Sequence, residues 1–349
     1  AATLATAAGL EAESAEALIE LASVLRQRGQ ADEAERLLDY AAGLVTRLQL
    51  WHLGPALALV QGKVAIDQGK PSVALSKYYR AIKLESNRID AHPLRLVPMW
   101  IDLGRLLIAQ GDPTTAATHF GDALTILEQT LGPQHPMIAE TLVELASAQA
   151  AMDDGSKVII SLRRAVDVRR QVDDPASLGM VQLRLGDALL THDSPALAIM
   201  RFTDAEASFA NGALPIRRAE AIFGRGLAEL AQGADAAAAE TLTRAVTRTE
   251  ALEDALALAD ARFALARALW HDPTQHTRAL SLAALAGQAY AGAGPESADS
   301  RTAVREWAAA QTQPQTQTGS ELSQTPDPEG PKPDKPAKSP PDGRQETKP

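Results

Sequence analysis

The chain has 349 residues, of which 45% are hydrophobic and 4% aromatic, and its formal net charge is −10. This length exceeds one compact core, so several domains or a repeat array are expected. Alanine and leucine dominate, and the β-branched and aromatic enrichment of strands is absent, which favours helices. The negative charge argues against nucleic acid as a partner, because neutralising phosphates requires a clustered basic surface.

The start of the chain and its composition bear on location. There is no cysteine, so disulfides and thiolate chemistry are excluded, and a reducing compartment is favoured. The sequence has neither an apolar run of transmembrane length nor a signal-peptide pattern. We therefore predict a cytoplasmic protein with no membrane insertion. The chain begins with Ala1, which indicates a processed product or a fragment, and residues 1–13 are expected to be the end of a preceding helix or a truncated repeat.

From residue 14 to residue 295 one pattern recurs, six times in regular form, with steps of 40, 42, 42, 40 and 40 residues. Each unit has a small residue, a turn residue seven later, a bulky residue nine after that and an alanine three further on. The small residues are Ala22, Gly62, Gly104, Ala146, Gly186 and Gly226. The turn residues are Gly29, Gly69, Gly111, Asp153, Asp193 and Gly233. The bulky residues are Leu38, Tyr78, Phe120, Leu162, Phe202 and Leu242.

This pattern is typical of two antiparallel helices joined by a short turn. The small residue allows close approach where the helices cross, and the bulky residue fills the gap toward the next hairpin. The turn residue ends the first helix, and Pro71, Pro113 and Pro195 lie in the first turn of a second helix, where the missing N–H costs nothing. A hairpin with apolar surface on both sides is stable only when stacked, so the pattern predicts an all-α solenoid.

The pattern also predicts the boundaries. The expected repeats are residues 15–50, 55–90, 97–132, 139–172, 179–212, 219–253 and an irregular seventh at 255–293. The seventh has a longer turn around Pro273, and a capping helix containing Trp307 is expected over 296–310. Residues 311–349 have nine prolines and one large aliphatic residue, which predicts a disordered Pro/Gln/Lys-rich tail. That tail is either a solvating segment or a ligand for an SH3-type domain.

The segment Leu131–Pro136, with the sequence LGPQHP, leads into the fourth unit. It is similar to the entry into a first helix in kinesin light chains, and the repeat as a whole resembles the tetratricopeptide family in its long form. This resemblance implies a right-handed α-α superhelix of about seven hairpins with a concave surface lined by first helices. The array also resembles the C-terminal arrays of bacterial, notably myxobacterial, serine/threonine kinases.

The resemblance implies a peptide groove on the concave surface. On this register its residues are Lys63, Ile66, Ile101, Arg105, Ile108, Val143, Ser147, Leu183, Asp187, Leu190, Phe223 and Leu227. The stripe is mostly apolar, with Lys63 and Arg105 at one end and Asp187 further along, which suits an amphipathic peptide with an acidic group at one end. The alternative is that much of this stripe packs against neighbouring helices.

Residue sets typical of catalysis, of metal sites or of cofactor binding are missing from the sequence. No phosphate-binding loop occurs, and the glycines of Gly224-Arg225-Gly226 lie inside a predicted helix. The acid pairs Asp153-Asp154 and Asp173-Asp174 lie at helix boundaries, where capping is expected. We therefore predict a non-enzymatic scaffold that binds a peptide or protein partner without a cofactor. Two alternatives stay open: a regulatory or sensory region of a larger signalling enzyme such as a kinase, and a self-associating assembly subunit.

Overall fold

The computed structural model describes residues 2–89, 92–210 and 214–312, with side chains from residue 10 onward. Within these ranges the chain forms fifteen α-helices and no β-strand. The first eight helices are α1 (Ala2–Gln27), α2 (Ala31–Arg47), α3 (Gly54–Asp67), α4 (Pro71–Ser86), α5 (Leu96–Ala109), α6 (Pro113–Leu131), α7 (Pro136–Ala151) and α8 (Gly155–Arg169). The others are α9 (Pro175–Thr191), α10 (Pro195–Ser208), α11 (Pro215–Ala231), α12 (Asp235–Ala251), α13 (Ala255–Leu269), α14 (His276–Gly292) and α15 (Ala298–Thr312).

The helices pair in chain order into seven hairpins, from α1–α2 to α13–α14. Most contacts join a helix to its immediate neighbours in the chain, and some first helices also touch the first helix of the next hairpin. This is the solenoid that the repeat predicts. None of the described helices is long and apolar enough to cross a membrane.

The turn between the two helices of a hairpin is made by one residue with a left-handed backbone. All six predicted turn residues have φ between 53° and 83°. Glycine adopts this conformation without steric cost, and aspartate tolerates it better than most residues. The prolines predicted to open second helices, Pro71, Pro113 and Pro195, are the first residues of α4, α6 and α10.

The two helices of a hairpin cross at the small residue. A Cβ atom added at Gly104 would lie 2.5 Å from the ring of Phe120, and one added at Gly62 would lie 2.6 Å from the ring of Tyr78. Separations this short are closer than van der Waals contact, so the aromatic ring occupies the space of the missing side chain. In the first and fourth hairpins, where the small residue is alanine, the bulky residue is a leucine.

Two boundaries differ from expectation. Residues 2–13 are continuous with the first helix of the first hairpin, because no proline or turn residue interrupts α1. The capping helix α15 ends at Thr312, two residues beyond its predicted end. Its Trp307 makes edge-on contacts with Phe263 at 5.8 Å and with Trp270 at 5.6 Å between ring centroids. The predicted disordered tail, from residue 313 onward, lies outside the described residues.

We predict that Gly104→Ala destabilises the protein by about 1–2 kcal/mol. Overpacking against Phe120 costs about 1–3 kcal/mol, and the better helix propensity of alanine returns up to about 1 kcal/mol. The double variant Gly104→Ala/Phe120→Leu should lose less unfolding free energy than the sum of the losses in the two single variants. The reason is that it recreates the alanine–leucine pair of the first and fourth hairpins. Urea unfolding followed by circular dichroism measures both.

Gly121→Ala is the matched control, because a Cβ at Gly121 on α6 meets no atom within 4 Å. That variant should be as stable as the parent or stabler by up to about 1 kcal/mol. Equal stability of the Gly104→Ala and Gly121→Ala variants would contradict the proposed crossing constraint.

Candidate functional site

The first helices of the seven hairpins are α1, α3, α5, α7, α9, α11 and α13, and the face that they form is called the groove face. Ion pairs connect consecutive first helices along part of this face. Arg26 pairs with Asp67 at 3.2 Å and Lys63 with Asp102 at 2.9 Å. Arg105 pairs with Glu144 of the next first helix at 2.7 Å. Lys63 and Arg105, which are predicted to lie at the basic end of the groove, therefore each have an acidic partner on the next first helix. The repeat step places an acidic residue of the following first helix beside each of them.

This ladder of ion pairs stops between α7 and α9. Lys63 and Arg105 each follow the small residue of their helix by one position, and their acidic partners precede the next small residue by two. In α7 and α9 the equivalent residues are Ser147 and Arg184, so an uncharged side chain faces a cation. Arg184 and Asp187 form no ion pair within 4.0 Å with any other described residue.

A cleft of about 300 Å³ opens at this break in the ladder. It lies between α7 and α9, and α8 forms its floor. The lining residues are Val143, Ala146, Ser147, Ala150, Asp153, Gly155, Val158, Leu162, Arg184, Asp187, Ala188, Thr191 and His192. The floor is apolar, and the charged groups belong to the turn before α8 and to α9.

The cleft exists because α7 has alanine where the other first helices have a large side chain. Four residues after the small residue, the seven first helices have Arg26, Ile66, Ile108, Ala150, Leu190, Leu230 and Trp270 in turn. A side chain of three carbons or more at this position would project from α7 into the space between the first helices. Ala150 leaves that space open.

Among the groups that line the cleft, Asp187 has the pKa that its surroundings shift most. Its side chain has solvent-exposed area, yet the protein atoms around it on the groove face remove much of its hydration. This burial, with the added repulsion of Glu220, raises the pKa of Asp187 to about 6, although Arg184 acts in the opposite direction. The carboxyl group therefore titrates close to neutral pH.

His192 closes one end of the cleft by lying against the first residue of α8. A Cβ atom added at Gly155 would lie 2.0 Å from the imidazole ring of His192, so only glycine leaves room for that ring. His192 follows the last residue of α9, and the ring thereby joins the end of α9 to the start of α8.

The structure places the predicted groove residues in different environments. Val143, Ser147 and Asp187 come together in the cleft. Leu183 is buried with 7% of its surface exposed and packs in the apolar core. The half-buried residues are Lys63, Ile101, Ile108, Val143, Ser147, Leu190, Phe223 and Leu227, and Ile66, Arg105 and Asp187 are exposed. The sequence prediction did not include Ala150, Arg184 or His192.

The acidic residues at helix boundaries act as caps. Asp154 accepts a hydrogen bond from the backbone N–H of Lys157 at 3.2 Å, and Asp174 accepts one from that of Ser177 at 3.1 Å. Capping of this kind lowers the pKa of both carboxyl groups. Gly224 and Gly226 lie inside α11, where added Cβ atoms would meet Phe202 and Leu242. These groups are therefore structural, as the sequence predicts.

Comparisons with known proteins show what the repeat is similar to. Tetratricopeptide repeat models match residues 96–171 and 183–252. No curated protein sequence matches the chain. Among solved structures, the nearly identical TPR-like repeats of a putative kinesin light chain from Podosopora anserina are 21% identical with a TM-score of 0.51, covering 58% of this chain and 99% of that one.

Two further solved structures are similar. BtubC (BKLC) from P. vanneervenii is 19% identical with a TM-score of 0.53, covering 69% of this chain and 93% of that one. A signal transduction ATPase with numerous domains from Pyrococcus horikoshii, which has a tetratricopeptide repeat sensor, is 13% identical with a TM-score of 0.57. That match covers 78% of this chain and 43% of the other. At these identities the similarity shows the fold alone.

We predict that the Asp187 carboxyl group titrates with a midpoint near pH 6. Glu220→Gln should lower this midpoint by removing a neighbouring negative charge, and Arg184→Met should raise it. Because the pKa of Asp187 in the folded state is above its unfolded value, ionised Asp187 opposes folding at pH 7. That opposition fades as the pH falls from about 7 to about 4.

Carbon-13 NMR of the aspartate carboxyl groups measures the midpoint, and Asp187→Asn assigns the signal. The same substitution should reduce the gain in stability between pH 7 and pH 4, whereas Glu16→Gln on the exposed surface of α1 should leave it unchanged. A midpoint below 4.5 for Asp187 would contradict the burial described for it.

Proposed function

We propose that this chain, a tetratricopeptide repeat protein, is a non-enzymatic scaffold that binds a peptide or protein partner on its groove face. The observation that carries this proposal is the cleft between α7 and α9. The other first helices have a large side chain at the position of Ala150, and ion pairs also link the first helices from α1 to α7. The absence of cysteine supports a cytoplasmic location for this binding.

The size and lining of the cleft support a peptide as the ligand. A volume of about 300 Å³ lies at the lower end of small-molecule sites, which range over ~300–1,000 Å³. The cleft therefore has room for one or two side chains and not for a large cofactor. Half-exposed Ile108 on one side and Phe223 on the other extend the apolar surface along neighbouring first helices, so an extended or helical segment has further contacts outside the cleft.

Filling the cleft tests this proposal. Ala150→Leu introduces the residue that α9 and α11 have at the same position, so the fold should be retained. Peptides selected against the full chain from a random display library should bind this variant at least tenfold more weakly than the parent chain. Fluorescence anisotropy with labelled peptides measures the affinities.

Ala237→Leu is the matched control, since Ala237 is exposed on α12 and the same atoms are added there away from the cleft. Its affinity should equal that of the parent. Failure to select any binding peptide, or equal affinity for the Ala150→Leu and Ala237→Leu variants, would refute groove binding at this cleft.

The first alternative is a regulatory or sensory region of a larger signalling enzyme, such as a bacterial serine/threonine kinase. It draws support from the Pyrococcus protein, whose repeats are described as a sensor within a signal transduction ATPase. Sequencing the complete gene separates the alternatives. A catalytic domain encoded in the same reading frame would favour the regulatory region, and its absence would favour a separate scaffold.

The second alternative is self-association, which a surface of α1 favours. Leu21 and Val24 are 48% and 43% exposed. The equivalent residues of the third hairpin, Leu103 and Leu106, are 0% and 6% exposed because they pack against the preceding hairpin. Among the described residues no helix covers this apolar face of α1, and a second copy of the chain is one partner that would bury it.

Light scattering distinguishes self-association from a monomeric scaffold. The scaffold proposal expects a mass of 36.9 kDa up to high protein concentration. Twice that mass, falling to the monomer value in a Leu21→Glu/Val24→Glu variant, would support self-association through α1. A dimer that persists in that variant would rule out α1 as the interface.

A further inference from the structure

We infer that the cleft between α7 and α9 selects a peptide segment in which a large apolar side chain is next to a lysine or arginine. This inference rests on the proposed function and specifies the chemistry of the partner. It depends on two separate observations. Ala150 is small where the other first helices have a large side chain, and the carboxylate of Asp187 has no described cation within 4.0 Å.

The apolar part of the ligand follows from the repeat itself. Val158 and Leu162 of α8 form the floor of the cleft, and they face the space that a large residue at position 150 would fill. Ile108 and Leu190 fill the equivalent space in the hairpins before and after it. A leucine, isoleucine, methionine or phenylalanine from a partner therefore supplies the apolar surface that α7 lacks. Burying a side chain of that size strengthens binding about tenfold or more.

The basic part follows from the charges around the cleft. Asp153 and Asp187 line it, and Arg184 is the one lysine or arginine among the lining residues. Glu220 of α11 is close enough to Asp187 to raise its pKa, and His192 lies at the far end of the cleft. The carboxylates of Asp102 and Glu144 each have a cation from the preceding first helix within 4.0 Å, whereas Asp187 has no cation that close among the described residues.

A ligand cation beside Asp187 gives the ionised carboxylate a partner that none of the described residues provides within 4.0 Å. The net charge of −10 also attracts basic segments from a distance. An acidic ligand would meet Arg184 but also two carboxylates. The balance of charge therefore favours a basic residue next to the apolar one.

The experiment measures the affinity of peptides selected from a random heptapeptide display library for the full chain and its variants. For each selected peptide, matched peptides replace the basic residue with glutamine or the apolar residue with serine. We expect each replacement to weaken binding to the parent chain at least fivefold. Asp187→Asn should weaken the selected peptide at least fivefold and should remove the effect of the glutamine replacement. Asp122→Asn should change neither.

The pH dependence gives a second measurement. Affinity of the basic peptide should fall several-fold between pH 7.5 and pH 5, since protonation of Asp187 removes the charge that binds the cation. In the Asp187→Asn variant this decrease should be absent. The chain's own segment 331–338, PKPDKPAK, has three lysines without a large apolar side chain, and as a synthetic peptide it should bind at least tenfold more weakly.

The outcomes separate this inference from the proposed function. If no peptide is selected, both fail. If peptides lose affinity for Ala150→Leu but are acidic or neutral beside the apolar residue, groove binding stands and the basic ligand is refuted. Equal affinity for the parent and the Asp187→Asn variant also refutes it. Tight binding of the segment 331–338 would show that charge alone suffices and would refute the apolar anchor.

Discussion

The close contact between a small residue and a bulky residue sixteen positions later is the constraint on which the rest of the structure depends. In each regular hairpin it fixes where the two helices cross, as Gly104 and Phe120 illustrate. An aromatic ring at the later position pairs with glycine at the earlier one, whereas a leucine pairs with alanine in the first and fourth hairpins and with glycine in the sixth. The same ring can also set the spacing between hairpins, since Phe202 lies within 3 Å of where a Cβ at Gly186 or at Gly224 would be. One type of contact therefore determines both the hairpin and the stacking.

The candidate site arises where the chain departs from its own repeat. The other first helices have a large side chain at the position of Ala150, and from α1 to α7 an ion pair also joins each first helix to the next. Between α7 and α9 both are missing, because α7 has Ala150 and Ser147 where the preceding first helix has Ile108 and Arg105. The cleft is thus formed where a large side chain and an ion pair are both missing. The unpaired charged groups around the cleft determine the charge of the ligand that it binds.

The sequence was sufficient to predict the hairpins, because their determinants repeat at fixed spacing and act over short distances. The left-handed turn residues and the crossing glycines are of this kind. It was not sufficient to predict that Lys63 and Arg105 are paired, since their acidic partners lie about forty residues away and the pairing depends on how adjacent hairpins stack. Leu183 was predicted at the surface and is buried for the same reason. The repeat alignment also contains the signal for Ala150, because it is the one small residue at a position where the other six first helices have a large side chain. The sequence prediction considered side chains that provide contacts, and alanine provides few.

The ladder of ion pairs also has a mechanical consequence. From α1 to α7 charged links tie the front of the solenoid, whereas among the described residues no ion pair joins α7 to α9, α9 to α11 or α11 to α13. Between α7 and α9 the core continues through Leu162, Leu185 and Phe202, but the front has no link. A joint that is fastened at the back and open at the front bends about its back edge, so the joints from α7 onward flex more easily than the charge-linked joints before them. Tension along the chain would widen the cleft, and a ligand bridging α7 and α9 would stiffen it.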